Sequence, residues 1–482
     1  MMPHVPPKSS VTIAPARRCA YTVLRRVFER GAYADEAFQA EAKGLDQRER
    51  ALAMRLAYGA VQRKGTLDHL IECLAERPAA RLDPPVLAAL RLGLYELLYL
   101  RGAPDYAVVA DGVELAKAQG RAGHGLVNAV LRRATREGAG LLEGLTDDTP
   151  EHASVKHSHP EWIARMFWDE LGPAGARALM ARDNEPSEVA LRANALVTDA
   201  PSLARALRES TLAGGAGAGE RRPVSTHLDA GIPEALVLDG PFDLHGSPLW
   251  GAGAFLAQSR AAMLVARALD PHPGERVLDL CAAPGGKSTH LAALMEGSGE
   301  VLAVERNPRR AGMLVRTAER LRAPNVRVEV GDAALARPEG PIFDRVLVDP
   351  PCSGLGTLQS RADLRWRVTP ERLPAMVQAQ TAILAAGAGA LRPGGVLVYS
   401  TCTISCSENE RLIAAFLDSH PGFDLDDLAA ELPVMRLGVE DPATDRGAGS
   451  APRQAAVASR SVLTLPHRDG TAGFFIARLR RS

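Results

Sequence analysis

Cysteine is scarce in this chain, and its scarcity excludes a disulfide-stabilised fold. Six cysteines are spread over 482 residues, and none of them forms the C-x-x-C pair that is typical of zinc sites. The sequence therefore predicts a reduced, cytoplasmic protein without a bound metal. Reduced thiols are also what a cysteine nucleophile requires, because the thiolate is the attacking form.

Long apolar runs and a net charge are missing as well. No stretch of about 18 apolar residues occurs, so no membrane span is predicted. Lys plus Arg and Asp plus Glu both total 57, which gives no overall indication of a nucleic-acid partner. Up to Leu145 there are roughly 21 basic and 16 acidic residues, an excess that fits a solvated surface as well as an RNA-binding face. Residues 1–14 lack the apolar core of a signal peptide and are predicted to be a disordered tail.

Residues 15–145 have a helical pattern. Apolar side chains recur at spacings of three and four, as at Leu87, Leu90 and Leu94, and this predicts an all-α bundle. Residues 150–250 combine a helix after Pro160 with two short apolar strands, which indicates a small α+β linker subdomain, and residues 213–219 are predicted to be a flexible loop.

Arg192 and Asn194 lie in the first of these two strands. They are either contacts to a nucleic-acid backbone or a structural pair, and the sequence leaves both alternatives open.

Strands and helices alternate from residue 251 to residue 482, and this predicts a Rossmann-like, doubly wound, mostly parallel α/β sheet. Ligands of such sheets bind at the carboxyl ends of the strands. Beyond Val434 the chain is predicted to be loop-like up to Arg460, with a last strand from Gly473 to Leu479. The other predicted strands of this sheet are 277–280, 301–304, 326–330, 342–348 and 395–399.

The first three strand ends predict a nucleoside pocket. A glycine-rich turn follows the first strand, and it has neither the phosphate-loop spacing nor the dinucleotide-binding spacing. Glu305 and Asp332 end the next two strands, where acids accept hydrogen bonds from ribose hydroxyls and exocyclic amines. Without a phosphate loop, S-adenosylmethionine is the predicted cofactor.

The next two strands each end in a cysteine. Asp349-Pro350-Pro351 is followed by Cys352, where methyltransferases that act on amino groups need an aromatic residue, and the following strand leads to Cys402. A thiolate that adds to C6 of cytosine turns C5 into a nucleophile, and Asp349 would hold the polar edge of the base. The residues alone do not decide which of the two thiols attacks.

Three motifs together resemble the RNA cytosine-5 methyltransferases. They are residues 281–287, 349–354 and 400–403, and Asp363-Leu364-Arg365-Trp366 and Glu408-Asn409-Glu410 also match. Residues 91–98 and 125–133 resemble the last helices of NusB, an RNA-binding antitermination factor. The combination is similar to the bacterial RsmB (Sun/Fmu) type of the RsmB/NOP family.

The resemblance implies S-adenosylmethionine-dependent methylation of C5 of a 16S ribosomal RNA cytidine by a monomer. It implies that Cys402 is the nucleophile, that Cys352 helps to resolve the covalent adduct, and that Asp349 and Lys287 belong to the catalytic site. By the same matching, the implied cofactor-binding residues are Cys281, Ala282, Ala283, Pro284, Gly285, Gly286, Lys287, Glu305, Asp332 and Asp349. A transfer RNA substrate and a non-catalytic role in ribosome assembly or antitermination are the alternatives. Gln258-Ser259-Arg260 departs from the Gln-Asp-x-x-Ser pattern of the family, which predicts a weaker ordering contact near the cofactor.

Overall fold

The computed structural model describes residues 13–100, 102–118, 123–212, 224–240, 242–335, 340–432 and 452–482. The chain forms two compact units. One contains the chain up to Glu185 together with Leu358–Val368, and the other contains Pro186–Thr357 and Thr369–Ser482. No helix in the described parts of the chain is both long and apolar enough to cross a membrane.

The first unit is helical, as the apolar spacing predicts. Its helices begin and end at conventional signals: the Asp46 carboxylate accepts a hydrogen bond from the Glu49 amide at one helix start, and Gly31 with φ 67° ends the first helix. Leu90 and Leu94 are fully buried in its core. The helices are α1 (Pro15–Arg30), α2 (Ala34–Glu41), α3 (Gln47–Gln62), α4 (Lys64–Ala75), α5 (Pro84–Tyr99), α6 (Asp105–Lys117), α7 (His124–Glu143), α8 (Pro150–Lys156) and α9 (Glu161–Arg182), with a 3₁₀ turn at Ala79–Arg81.

The predicted linker subdomain at 150–250 is divided between the two units. Helices α8 and α9 belong to the helical unit, whereas the strands after Pro186 belong to the second unit. The division has a physical reason, because α9 packs on α8, α8 packs on α4, and the fully buried Phe167 ring lies 6.2 Å from the His159 ring between centroids. The predicted loop at 213–219 lies outside the described residues.

Arg365 is a fully buried charged residue of the helical unit. Its guanidinium donates to the carbonyl oxygens of Ser158 (3.0 Å) and Asp183 (3.1 Å) and to Asn184 Oδ1 (3.0 Å). The side chain is fully buried. Trp366 next to it donates its indole N–H to the Val61 carbonyl at 2.8 Å. These bonds explain why the segment Leu358–Val368 belongs to this unit although its neighbours in sequence do not.

The second unit contains two sheets. The smaller one has the order β2-β3-β1-β4 and is antiparallel in all three pairings. Its core consists of apolar side chains such as Leu191 and Phe255 that are fully buried against α10. Its elements are β1 (Val189–Ala193), α10 (Ala200–Leu212), β2 (Thr226–Leu228), β3 (Ala235–Leu238), α11 (Pro248–Gly251) and β4 (Phe255–Ala257).

The larger sheet confirms the α/β prediction. Its order is β10-β12-β9-β8-β5-β6-β7, with β11 paired to β12, and the pairs from β9 to β7 are all parallel. Strand β12 adds an antiparallel edge beside β9. The elements are α12 (Arg260–Leu269), β5 (Arg276–Leu280), α13 (Gly286–Leu294), β6 (Glu300–Glu305), α14 (Pro308–Arg320), β7 (Val326–Val330), β8 (Phe343–Val348), α15 (Leu373–Ala390), β9 (Leu391–Thr401), α16 (Glu410–Ser419), β10 (Phe423–Leu425), α17 (Leu428–Glu431), α18 (Pro452–Arg460), β11 (Val462–Thr464), α19 (Pro466–Asp469) and β12 (Phe474–Arg481).

The prediction of a loop up to Arg460 is wrong for residues 452–460. Residues 433–451 lie outside the described residues, but helix α18 occupies Pro452–Arg460. Its single fully buried apolar residue, Val457, packs into the core between the sheet and α16. One apolar contact in a polar helix gives too little periodicity to recognise it from the sequence.

Replacement of Arg365 with methionine is expected to destabilise the helical unit. Two buried carbonyl oxygens and the half-buried Asn184 Oδ1 would lose their donor. Each buried acceptor left without a donor costs about 1–3 kcal/mol, so the loss in unfolding free energy is at least about 2 kcal/mol. Urea unfolding followed by tryptophan fluorescence measures it, since Trp366 lies beside the substitution. Arg361→Met, at an exposed position of the same segment, is the matched control. A loss no larger for Arg365→Met than for Arg361→Met would contradict this assignment.

Candidate active site

The turn after β5 has the backbone that a close ligand approach requires. Cys281 has φ 66° and Gly285 has φ 99°, and both lie immediately before the amino end of α13. A Cβ at Gly285 would lie 3.2 Å from Leu314 Cγ, so a larger residue would be both strained and crowded there. The first N–H groups of an α-helix have no carbonyl partners within the helix, which makes the start of α13 suitable for a polar ligand.

The acidic groups around this turn differ in burial. Asp279, at the end of β5, is buried, and Ser288 Oγ donates to its Oδ2 at 2.6 Å. Burial raises the pKa of Asp279 to about 7. Glu305 ends the neighbouring strand β6 and is also buried, and its Oε1 accepts from the Asn307 amide at 2.8 Å. Asp332 is exposed after β7, where its Oδ1 accepts from the Ala334 amide.

Parallel pairing of these strands places the predicted cofactor residues at one edge. Strand β5 pairs with β6, and β6 pairs with β7, all in parallel register. The turn at 281–287, Glu305 and Asp332 therefore follow three neighbouring strand ends. Arg310 links two of them, because its Nη2 donates to the Ala283 carbonyl at 2.8 Å and its Nη1 lies 3.6 Å from Glu305 Oε2.

Arg192 supports the same turn from the smaller sheet. Its Nη1 donates to the Gly286 carbonyl at 2.5 Å and to Gln258 Oε1 at 2.9 Å, and its Nη2 donates to Thr289 Oγ1 at 2.9 Å. Burial lowers the pKa of Arg192 to about 9. Asn194 is equally buried and bonds the Leu321 carbonyl at 2.7 Å. Of the two alternatives for Arg192 and Asn194, nucleic-acid contacts or a structural pair, these bonds support the structural pair.

Residues 258–260, where the sequence departs from the family pattern Gln-Asp-x-x-Ser, form hydrogen bonds and ion pairs of their own. Ser259 caps α12 by accepting from the Ala262 amide, and Arg260 forms ion pairs with Glu188 at 2.7 Å and Asp229 at 2.8 Å. Ser259 thus stands where the family pattern has an aspartate and caps the helix, the buried Arg260 that follows it lies between two carboxylates, and Gln258 remains bonded to Arg192.

The two candidate catalytic thiols are adjacent. Strands β8 and β9 pair in parallel, with Val348 opposite Tyr399, and each continues into a cysteine-bearing loop. Cys352 Sγ lies 3.3 Å from Cys402 Sγ, and both residues are half-buried. The hydrogen bond to Cys402, followed by burial, raises the pKa of the Cys352 thiol well above its ordinary value. At 3.3 Å the two sulfur atoms can share one proton, and either of them can be the donor.

Lys287 and Asp349 form an ion pair beside the thiols. Lys287 Nζ donates to Asp349 Oδ2 at 2.7 Å, and Ser400 Oγ donates to Asp349 Oδ1 at 3.0 Å. Burial is the largest single effect and lowers the pKa of Lys287, but the charge and hydrogen bond of Asp349, together with the charges of Cys402 and Asp279, raise it above its ordinary value. The ammonium group also lies 5.2 Å from the Phe474 ring centroid. A fixed positive charge next to a thiol favours its thiolate.

A buried hydrogen-bond network connects the two cysteine loops, and the sequence reasoning gave it no role. Glu408 accepts from the Ser353 amide at 2.9 Å through Oε1 and from Ser353 Oγ at 2.6 Å through Oε2. Ser353 Oγ also lies 2.7 Å from Thr403 Oγ1. The available signal was a hydroxyl residue directly after each cysteine together with an acid six positions after Cys402.

The backbones of Gly356 and Gly473 approach each other closely next to these loops. The Gly473 amide donates to the Gly356 carbonyl at 2.7 Å, and the Gly356 amide donates to the Cys402 carbonyl at 3.0 Å. A Cβ at Gly356 would lie 2.0 Å from the Gly473 carbonyl oxygen. The backbones can approach this closely only because neither residue has a side chain.

A parallel sheet with a glycine-rich first turn, acids at the next two strand ends and a pair of thiols defines a Rossmann-like methyltransferase domain. The profile of the family described as "16S rRNA methyltransferase RsmB/F" matches residues 266–480, and that of the "NusB family" matches residues 14–136. The "Probable ribosomal RNA small subunit methyltransferase B" of Synechocystis is 35% identical over 97% of this chain and 99% of its own length. The protein of the same description in Bacillus subtilis is 33% identical over 91% and 92%.

Solved structures are similar as well. The crystal structure of PH0851 superposes with a TM-score of 0.77 at 25% identity, over 98% of this chain and 100% of that chain. A methyltransferase homologue from Pyrococcus horikoshii gives a TM-score of 0.56 at 25% identity, over 70% and 100%. The chain therefore belongs to the RsmB/F methyltransferase family, with a NusB-family region in front of the methyltransferase domain.

Replacement of Gly356 with alanine is expected to destabilise the second unit by about 1–3 kcal/mol, because backbone rather than a flexible side chain fills the space of the new methyl group. Gly389→Ala is the control, since a Cβ there meets nothing within 4 Å and alanine favours the helix by up to about 1 kcal/mol. Equilibrium unfolding in urea measures both. Equal unfolding free energies for the two variants would contradict the predicted close approach.

Proposed function

We propose that this protein methylates C5 of a cytidine in 16S ribosomal RNA, with S-adenosylmethionine as the methyl donor and Cys402 as the nucleophile. The observation that carries the proposal is the thiol pair, with 3.3 Å between the two sulfur atoms, beside the Lys287–Asp349 ion pair. Cytosine C5 needs a nucleophile at C6 before it can accept a methyl group, and two thiols at one strand edge meet that need.

The residues at the sheet edge fit the proposed cofactor. Glycines at 285 and 286 leave room for a ligand next to the amino end of α13, and buried Glu305 offers a carboxylate to ribose hydroxyls. Asp279 Oδ1 is a buried oxygen without a hydrogen-bond partner among the described residues, which suits a donor from a ligand. S-adenosylmethionine, when bound, would supply an electrophilic methyl group.

The chemistry of the chain then divides between four side chains. The Cys402 thiolate forms a bond to C6 of the base, while Asp349 holds the N3 and N4 edge and stabilises the proton gained at N3. After C5 has received the methyl group, a base takes the C5 proton, and the electron pair of that C–H bond forms the C5–C6 double bond as the C6–sulfur bond breaks. The Cys402 thiolate is released and N3 loses the proton that it gained, which restores the aromatic ring. Cys352 lies where it can assist this second half, and Lys287 holds Asp349 in position.

The assignment of attack to Cys402 is supported by the electrostatics of the pair. The pKa of Cys352 is raised well above its usual value, first by its bond to Cys402 and then by burial. Burial lowers the pKa of Lys287, whereas the charge and hydrogen bond of Asp349 and then the charge of Cys402 raise it, so the ammonium group and the Cys402 sulfur attract each other. A positive charge near Cys402 favours its thiolate, and the proposal therefore assigns the attack to Cys402.

The helical unit supports an RNA substrate. Four arginines of α1, at positions 18, 25, 26 and 30, line a surface cavity of about 620 Å³. Clustered guanidinium groups are typical of phosphate-backbone binding. The relatives from Synechocystis and Bacillus subtilis are described as probable ribosomal RNA small subunit methyltransferases. We assign RNA binding to residues 15–145 and catalysis to residues 251–482 of a cytoplasmic monomer.

Substrate identity is tested by bisulfite sequencing of ribosomal and transfer RNA from a deletion strain. The proposal predicts that one cytidine of 16S ribosomal RNA loses its protection and regains it when the gene is restored. Loss of protection in a transfer RNA would show a different substrate, and unchanged protection throughout would contradict cytosine-5 methylation.

The two thiols are separated by single-turnover methylation of 16S RNA. Cys402→Ala is expected to lower the rate of methyl transfer by a factor of at least about 1,000, because the nucleophile is lost. Cys352→Ala is expected to transfer the methyl group and then remain covalently bound to the RNA, visible as a slower band on a denaturing gel. Cys406→Ala, four residues from Cys402, is the control with ordinary turnover. Full activity of Cys402→Ala would contradict the assignment.

A further inference from the structure

We propose that Glu408 is a positioning residue for the release step, because its carboxylate fastens the loop of Cys352 to the loop of Cys402. The inference rests on the proposed function, since it concerns the breakdown of the Cys402 adduct. It assigns a role to Glu408, the first residue of the Glu408-Asn409-Glu410 motif. The Glu408 carboxylate accepts hydrogen bonds from Ser353, the residue after Cys352, and not from the thiols in the described network.

The geometry places Glu408 between the two loops. The residue is fully buried and follows Cys402 by six positions on the loop after β9. Its two oxygens accept from the amide and from the hydroxyl of Ser353, the residue directly after Cys352, at 2.9 and 2.6 Å. The Ser353 hydroxyl also meets Thr403 Oγ1, directly after Cys402, at 2.7 Å. The residues next to both cysteines are therefore held by one carboxylate.

Side chains on α15 and β9 hold Glu408 in place. Gln380 on α15 donates Nε2 to Glu408 Oε1 at 2.9 Å and to the Pro351 carbonyl at 3.0 Å, so the same amide also holds the residue before Cys352. Tyr399 on β9 donates its hydroxyl to the Glu408 backbone carbonyl at 2.7 Å. Three donors to one buried carboxylate make it a rigid anchor.

The position of Cys352 matters more after methyl transfer than before it. Attack on C6 requires Cys402, whose strand is paired on both sides by β8 and β12. Cys352 lies beyond the end of β8, in a loop whose contacts to the Cys402 loop include the Glu408 bonds. Loss of these bonds would let Cys352 shift relative to Cys402, and a displacement of about 1 Å can cost on the order of 100-fold in a positioned step.

The test measures how the reaction divides between adduct formation and release in the full-length protein. Glu408→Ala is expected to lower steady-state turnover roughly 10- to 100-fold while the covalent RNA–protein band accumulates, with the dissociation constant of S-adenosylmethionine unchanged in calorimetry. Glu408→Gln keeps an acceptor for the Ser353 amide and should give an intermediate accumulation. Ser353→Ala breaks the same contact from the other loop and should accumulate the adduct as well.

Tyr399→Phe is the matched control. It removes a hydrogen bond to the backbone of Glu408 and leaves the three bonds to the carboxylate in place. Its adduct fraction is expected to equal that of the unchanged protein. If Glu408→Ala does not fold, Glu408→Gln and Ser353→Ala provide the same readout.

Each result decides the proposal. The proposal is overturned if the adduct fraction of the Glu408 and Ser353 variants equals that of Tyr399→Phe. It is also overturned if these variants slow adduct formation and adduct release by the same factor. Cys352→Ala is run beside them: if it forms no adduct, the proposed covalent mechanism itself fails, whereas an adduct in Cys352→Ala without one in Glu408→Ala rejects only the role of Glu408.

Discussion

The parallel pairing of β8 with β9 is the constraint on which the site depends. Val348 is opposite Tyr399 in this register, so the two strands reach the edge of the sheet together and their loops begin side by side. A shift by one residue would reverse the faces to which the side chains point and would separate the two sulfur atoms, which lie 3.3 Å apart. Adjacent strand ends thus provide two thiols from positions 50 residues apart in sequence.

Charge then makes these two thiols different. Lys287 is held beside Asp349 by an ion pair of 2.7 Å and favours negative charge on Cys402. Glu408 is another buried acid nearby, and its charge is among the causes that raise the pKa of Cys352, after the Cys402 bond and burial. Opposite charges on the two sides of the pair would account for the division of roles that we propose for two chemically identical groups.

The sequence predicted those parts of the molecule that depend on local pattern. Strands such as Val326–Val330 and the helix at Gly286 have a clear apolar period or glycine signal, and the motif residues lie where parallel strand ends bring them together. It could not predict that Arg365 is bonded within the helical unit, or that Arg192 supports the Gly286 turn. These contacts join residues about 90 to 210 positions apart, and nothing in local periodicity records them.

Direct identification of the attacking thiol is the most decisive measurement. RNA that carries 5-fluorocytidine at the target traps the adduct, because the fluorine at C5 cannot leave as a proton does. Trypsin separates the candidates, since Cys352 falls in the peptide 346–361 and Cys402 in the peptide 373–411. The account predicts that mass spectrometry of the unsubstituted protein finds the nucleotide on Cys402. A nucleotide on Cys352, in protein whose Cys402 is intact, would contradict it.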